Sequence, residues 1–89
     1  MTTLYVIYEI NENWDKSTMS IKGLYTNKRK AHDNFYSLYE TFKENNPNYW
    51  HLVLGFIGYF NEPAQMSNDL VNDITTVMYF DSNTIHEVV

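Results

Sequence analysis

Between Ile21 and Glu44 an apolar run gives way, within a few residues, to one amphipathic helix, and no other stretch of the chain restricts its fold as tightly. Ile21-Lys22-Gly23-Leu24-Tyr25 has the residue types of a strand end. Thr26 and Asn27 follow, two residues whose side-chain oxygens accept from the unpaired N–H groups of a starting helix. Ala31, Phe35, Leu38 and Phe42 then recur at steps of four, three and four, which draws an apolar stripe along one side. Asn45-Asn46-Pro47 ends the pattern, because the residue before a proline is pushed out of the helical region. The spacing predicts a helix over 28–44, about 25 Å long. Tyr36 and Tyr39 flank its stripe and are expected to cover the rim of the core.

The flanking segments read as strands. Leu4–Ile10 places Leu4, Val6, Tyr8 and Ile10 on one face and Tyr5, Ile7 and Glu9 on the other. Both faces are largely apolar, as in an inner strand. Asn11–Thr18 is polar apart from Trp14 and too long for a tight hairpin turn. Met19–Tyr25 returns antiparallel to the first strand, and Gly23 in it marks a bulge or a close approach of the helix. Tyr49–Phe60 is the most apolar segment. As a strand it sets Trp50, Leu52, Leu54, Phe56 and Phe60 against Tyr49, His51, Val53, Ile57 and Tyr59. Its branched and aromatic residues, with Gly55 and Gly58, argue against a helix there.

One helix cannot cover both faces of such a strand. The second face is closed either by the C-terminal segment or by another subunit, and the area to be hidden favours a homodimer or partner contact. Asn61–Asn68 reads as a loop containing Pro63, and Ser67 and Asn68 as caps for a short turn through Asp69–Asp73. Ile74–Phe80 is strand-like, Asp81–Thr84 turn-like, and Ile85–Val89 pairs back as a final short strand. The expected fold is α+β, with one domain over residues 1–89. An antiparallel sheet of four to five strands carries the main helix on one face, in the order ββαβ(β)β.

Composition narrows the function. A hydrophobic fraction of 44% with 17% aromatics belongs to a chain that folds. Cysteine is absent, which excludes a disulfide framework and a thiolate zinc site and suits a reducing compartment. Met1-Thr2-Thr3-Leu4 lacks the basic flank of a signal peptide, and Tyr49–Phe60 is too short to span a bilayer, so a cytoplasmic protein with no membrane contact is expected. Eleven acidic against six basic residues give a net charge of −5, which repels phosphate backbones and makes nucleic acid an unfavourable partner.

No catalytic constellation stands out. His32, His51 and His86 are far apart and lack metal-ligand spacing, so they read as separate surface or rim histidines, with no metal and no cofactor expected. Glu40 and Glu44 lie one helical turn apart on a solvated face. Lys28-Arg29-Lys30 is the charge feature that breaks a local rule, since cations at a helix start oppose the macrodipole. It is read either as a solvated basic turn or as a contact for a phosphate or a partner's carboxylate. Trp14, at a loop tip, either folds back over the sheet or serves as an exposed contact anchor.

Ile21-Lys22-Gly23-Leu24-Tyr25-Thr26-Asn27-Lys28-Arg29-Lys30-Ala31 resembles a pattern of small accessory proteins of phages and bacterial mobile elements. There a strand of hydrophobic-x-Gly-hydrophobic-aromatic type leads through Ser/Thr and a lysine-rich turn to an alanine that opens a helix. The resemblance covers about residues 4–44 and implies a small accessory protein of viral type, with no catalytic residues to carry over. Small size, acidity and abundant tyrosines point to a non-enzymatic protein-binding module. With the resemblance, this becomes a phage-encoded inhibitor of a host factor such as a defence nuclease, of anti-restriction or anti-CRISPR type. The expected contact residues are Trp14, Lys28, Arg29, Lys30, Tyr36, Tyr39 and Tyr59. The alternative is a small nucleic-acid-binding accessory protein that uses the basic helix start with nearby aromatics.

Overall fold

The computed structural model describes residues 2–45, 50–60, 74–81 and 84–88; the side chains at positions 2, 59 and 60 fall outside that description. Strands β1 (Thr2–Asn11) and β2 (Ser20–Tyr25) come first, with a 3-10 turn, Lys16–Thr18, between them. Helix α1 (Lys28–Asn45) follows, then β3 (Trp50–Phe60), β4 (Thr75–Asp81) and β5 (Thr84–Glu87). The strands form one sheet in the order β2-β1-β3-β4-β5, every neighbouring pair antiparallel. This is the expected α+β arrangement, with five strands among the described residues. The loop expected at Asn61–Asn68, the turn through Asp69–Asp73 and the turn residues Ser82 and Asn83 lie outside the described residues.

Because β2 and β3 each run antiparallel to β1, they are parallel to one another, and such strands need a long crossover. The helix supplies it, carrying the chain across β1. Its start is set by Asn27, whose side-chain oxygen accepts from the Lys30 N–H at 3.0 Å while its carbonyl accepts from the Ala31 N–H at 3.0 Å. The stripe then does its work: Ala31, Phe35 and Phe42 are buried in one cluster with Ile7 of β1, Leu52 and Leu54 of β3, and Met78 and Phe80 of β4. Burying each large side chain here contributes on the order of 1.5–3 kcal/mol.

The opposite face carries a second cluster. Leu4, Val6, Tyr8 and Ile10 of β1 join Val53 and Ile57 of β3, all between 0 and 6% exposed within the single chain. A second subunit is therefore not needed to hide these side chains, contrary to the expectation drawn from area. Burial raises the Tyr8 phenol above its ordinary pKa, partly offset by its hydrogen bond with Thr76. The sheet edges are also poor templates for another chain. In β2 the register shifts as Ile7 pairs with Gly23 and Tyr8 with Ile21, which leaves Lys22 as the extra residue; its ammonium reaches Glu9 at 3.0 Å. At the other edge β5 has four residues.

Two glycines show what the sheet demands of the sequence. Gly23 sits beside the bulge, and what approaches it is the Tyr25 ring, 2.6 Å from where a Cβ would stand, rather than the helix. At Gly55 the partner register jumps from Met78 to Thr76, so β4 closes in on the glycine. A Cβ on Gly55 would fall against Ile74 Cγ2 and within 2.9 Å of the Thr75 carbonyl oxygen, whereas one on Gly58 would meet nothing within 4 Å.

Two stability predictions follow from this packing. Phe35→Ala should lower the unfolding free energy in urea by about 3–5 kcal/mol, against about 1 kcal/mol or less for Tyr36→Ala at the exposed neighbouring position. Gly55→Ala should cost about 1–3 kcal/mol because backbone must move, whereas Gly58→Ala should lie within about 0.5 kcal/mol of the parent.

Candidate binding pocket

Lys28, His32 and Tyr36 are spaced by four and form a ridge of α1 adjoining the apolar stripe. Further along the helix, Tyr39 and Phe42 set their rings edge-on against Phe80 of β4, with centroids 4.8 and 5.8 Å away, and close the gap between helix and sheet. The first half of the ridge does not close it. Lys28, His32 and Tyr36 instead wall a pocket of about 460 Å³ with Thr3, Tyr5, Phe56, Val77, Met78 and Glu87. That volume lies within the range of ligand and side-chain pockets, roughly 300–1,000 Å³.

The floor is apolar: Tyr5 and Phe56 are paired across β1 and β3, their rings tilted with centroids 6.4 Å apart, and Val77 and Met78 of β4 are buried beside them. The rim is polar and carries both signs, with Lys28 on the helix and Glu87 on β5. His32 donates from Nδ1 to the Lys28 carbonyl at 2.8 Å, which leaves Nε2 of the neutral ring as an acceptor. Tyr36 is 42% exposed and meets Phe35 edge-on, so one ring side is anchored while the other faces solvent. Such a cavity can take an apolar side chain and engage a charged or polar neighbour at its mouth. No family model, no curated protein and no solved structure matches the chain.

Of the expected contact residues, the pocket unites Lys28 and Tyr36. Arg29 and Lys30 are exposed on the first helical turn but do not line it. Tyr39 is half-buried against Phe80, with the Lys43 ammonium 5.1 Å from its ring centre, and is part of the core rim. Lys43 in turn pairs with Glu40 at 3.0 Å, which raises the ammonium pKa and engages one member of the Glu40–Glu44 pair. The Tyr59 side chain lies outside the described residues. Trp14 is on the opposite face, at the other end of the sheet. It folds back to stack on His51 at 4.2 Å and meets Tyr79 edge-on, yet stays 40% exposed.

Among the histidines, His51 differs from the sequence reading. His51 is 5% exposed, a core residue rather than a rim one, and His86 stacks on the Tyr79 ring at 4.8 Å. Among the described residues no three His, Cys, Asp or Glu side chains converge on a metal-sized site, and no helix is long and apolar enough to cross a membrane. His32, Tyr5, Phe56 and Glu87 were missed as pocket residues. The four-residue spacing of Lys28, His32 and Tyr36 was the available signal; the β-strand contributors come together only through pairing.

Asn27→Ala removes the side-chain acceptor at the helix start that positions this wall. It should cost about 1 kcal/mol in denaturant unfolding, and amide exchange at Lys30 should rise more than at Phe42.

Proposed function

We propose that the chain is a non-enzymatic protein-binding module that captures an apolar side chain of a partner protein in the pocket between α1 and the sheet. The observation that carries this reading is the pocket itself, a ring-lined floor left open beside an exposed tyrosine and a lysine. Tyr36 has the properties of a contact anchor, with large area at low rotamer cost and one ring side already fixed. Lys28, backed by Arg29 and Lys30, suits an acidic group next to the captured side chain. The net charge of −5 favours a protein over a nucleic acid as the occupant. A module of this size acts by occupying its partner. Inhibition of a host factor, in the manner of a phage accessory protein, is the form of that role suggested by the resemblance over residues 4–44.

Selection from a random peptide library against the intact protein tests the assignment. Bound peptides should share an apolar or aromatic anchor followed or preceded by an acid. Tyr36→Ala and Lys28→Glu, both at exposed positions, should each weaken the selected peptides about tenfold in calorimetry. Peptides that bind both variants as tightly as the parent would show that the contact lies elsewhere. Salt-sensitive binding of a single-stranded oligonucleotide, with no peptide enrichment, would favour the nucleic-acid alternative instead.

A further inference from the structure

On the sheet face away from α1, the loop between β1 and β2 is wired as one unit. The Asn11 side-chain oxygen accepts from the N–H groups of Asn13 and Asp15, at 3.2 and 2.9 Å, and the Asn11 carbonyl accepts from the Trp14 N–H at 3.0 Å. Thr18 Oγ1 donates to the Asp15 carbonyl at 2.7 Å and accepts from the Asn11 N–H at 3.1 Å, which ties the loop's two ends together. Asp15 accepts from the Ser17 N–H and hydroxyl, bonds that hold its carboxyl below the usual range. This unit meets the sheet through Trp14, whose φ of 57° is in the left-handed region that a bulky side chain rarely occupies. Strain of this kind persists only where surrounding contacts hold it. Here they are the stack of Trp14 on His51 and the bond from His51 Nε2 to the Glu12 carbonyl at 3.2 Å.

That bond fixes the chemistry of the ring. A carbonyl only accepts, so Nε2 carries a hydrogen, and in the neutral ring Nδ1 is a bare lone pair. Nδ1 is fully buried, has no hydrogen-bond partner among the described residues, and lies 3.6 Å from an Asp81 carboxylate oxygen. A lone pair facing an anion is an unfavourable arrangement. A second proton reverses it by placing an Nδ1–H before Asp81 and a cationic ring beneath Trp14, and both changes are attractive. We propose that the 11–18 loop is a proton-operated clamp. His51 carrying both protons holds Trp14 most tightly to the sheet, and loss of the Nδ1 proton loosens that stack while Nε2–H keeps its bond to the Glu12 carbonyl.

The clamp is thus tightest when the ring carries both protons and loosens when Nδ1 gives one up. Among the described residues, Tyr79 and Asp81 on β4 face the ring and His86 on β5 stacks on Tyr79, while Glu12, Asp15 and Lys16 are the charged residues of the loop itself. The switch lies away from the α1 pocket and stands whether or not that pocket binds a partner.

Acrylamide quenching of Trp14, read in a Trp50→Phe background between about pH 5 and about pH 8, tests it. The quenching constant should rise about two- to threefold across that interval as the stack loosens. His51→Gln keeps an N–H donor for Glu12 but cannot gain a proton, and should abolish the rise. Asp81→Asn, at a partly exposed strand end, should keep the fold and reduce the rise by at least about half, and this variant decides if His51→Gln fails to fold. His86→Gln should leave it intact. A quenching constant that stays flat with pH, a full rise in Asp81→Asn, a rise that persists in His51→Gln, or its loss in His86→Gln would each overturn the proposal.

Discussion

An α-helix with its side chains is about 10 Å across, whereas five strands about 4.8 Å apart span nearly twice that. This mismatch of widths governs the molecule. Packing α1 over β2, β1 and β3 is what the crossover requires, and it brings Ala31, Phe35 and Phe42 onto Ile7, Leu52 and Leu54. The far strands are then reached only where a long side chain bridges the gap. Tyr39 and Phe42 do so at Phe80; Lys28, His32 and Tyr36 do not, and the uncovered floor of Tyr5, Phe56, Val77 and Met78 remains as a pocket. The candidate site is therefore a by-product of geometry that a ridge of three polar or amphipathic residues leaves unfilled.

The aromatic residues divide by position rather than by type. Phe35, Phe42 and Phe80 are structural; Tyr39 shares their cluster and adds a cation contact at its rim. Tyr36, one step from Phe35 along the helix, turns the opposite way and keeps an open ring face. Trp14 is held over His51 by a backbone conformation that costs energy, so its placement is enforced by contacts and not by local preference. Among the described residues the most exposed rings, Tyr36 and Trp14, thus lie at opposite ends of the sheet and on opposite faces. Tertiary packing absorbs most of the other described rings, and the chain hides its second sheet face without a second copy.

Element types were legible because their periodicities are unambiguous. The stripe through Ala31, Phe35, Leu38 and Phe42 and the cap at Asn27 fixed α1 to within one residue of its observed end. The alternation in Leu4–Ile10 and in Trp50–Phe56 assigned each side chain to its observed face. Pairing order was less accessible, since hydrophobic pattern alone does not say that β1 lies between β2 and β3. Gly55 shows the same limit: the sequence marks a glycine in a strand, and only the register jump opposite it explains why a side chain is excluded there.

The sequence by itself determined that this chain folds as one helix against an antiparallel sheet, that its core is aliphatic and aromatic, and that its surface is acidic. These follow from local spacing and summed charge, which need no knowledge of distant contacts. Tertiary structure alone decided that Lys28, His32 and Tyr36 face Phe56 and Glu87 across a cavity. It also decided that Trp14 and Asp81, far apart in the chain, meet at the buried His51. The physical reason is that strand pairing brings together residues tens of positions apart. Burial and electrostatics act on those neighbours rather than on neighbours in sequence.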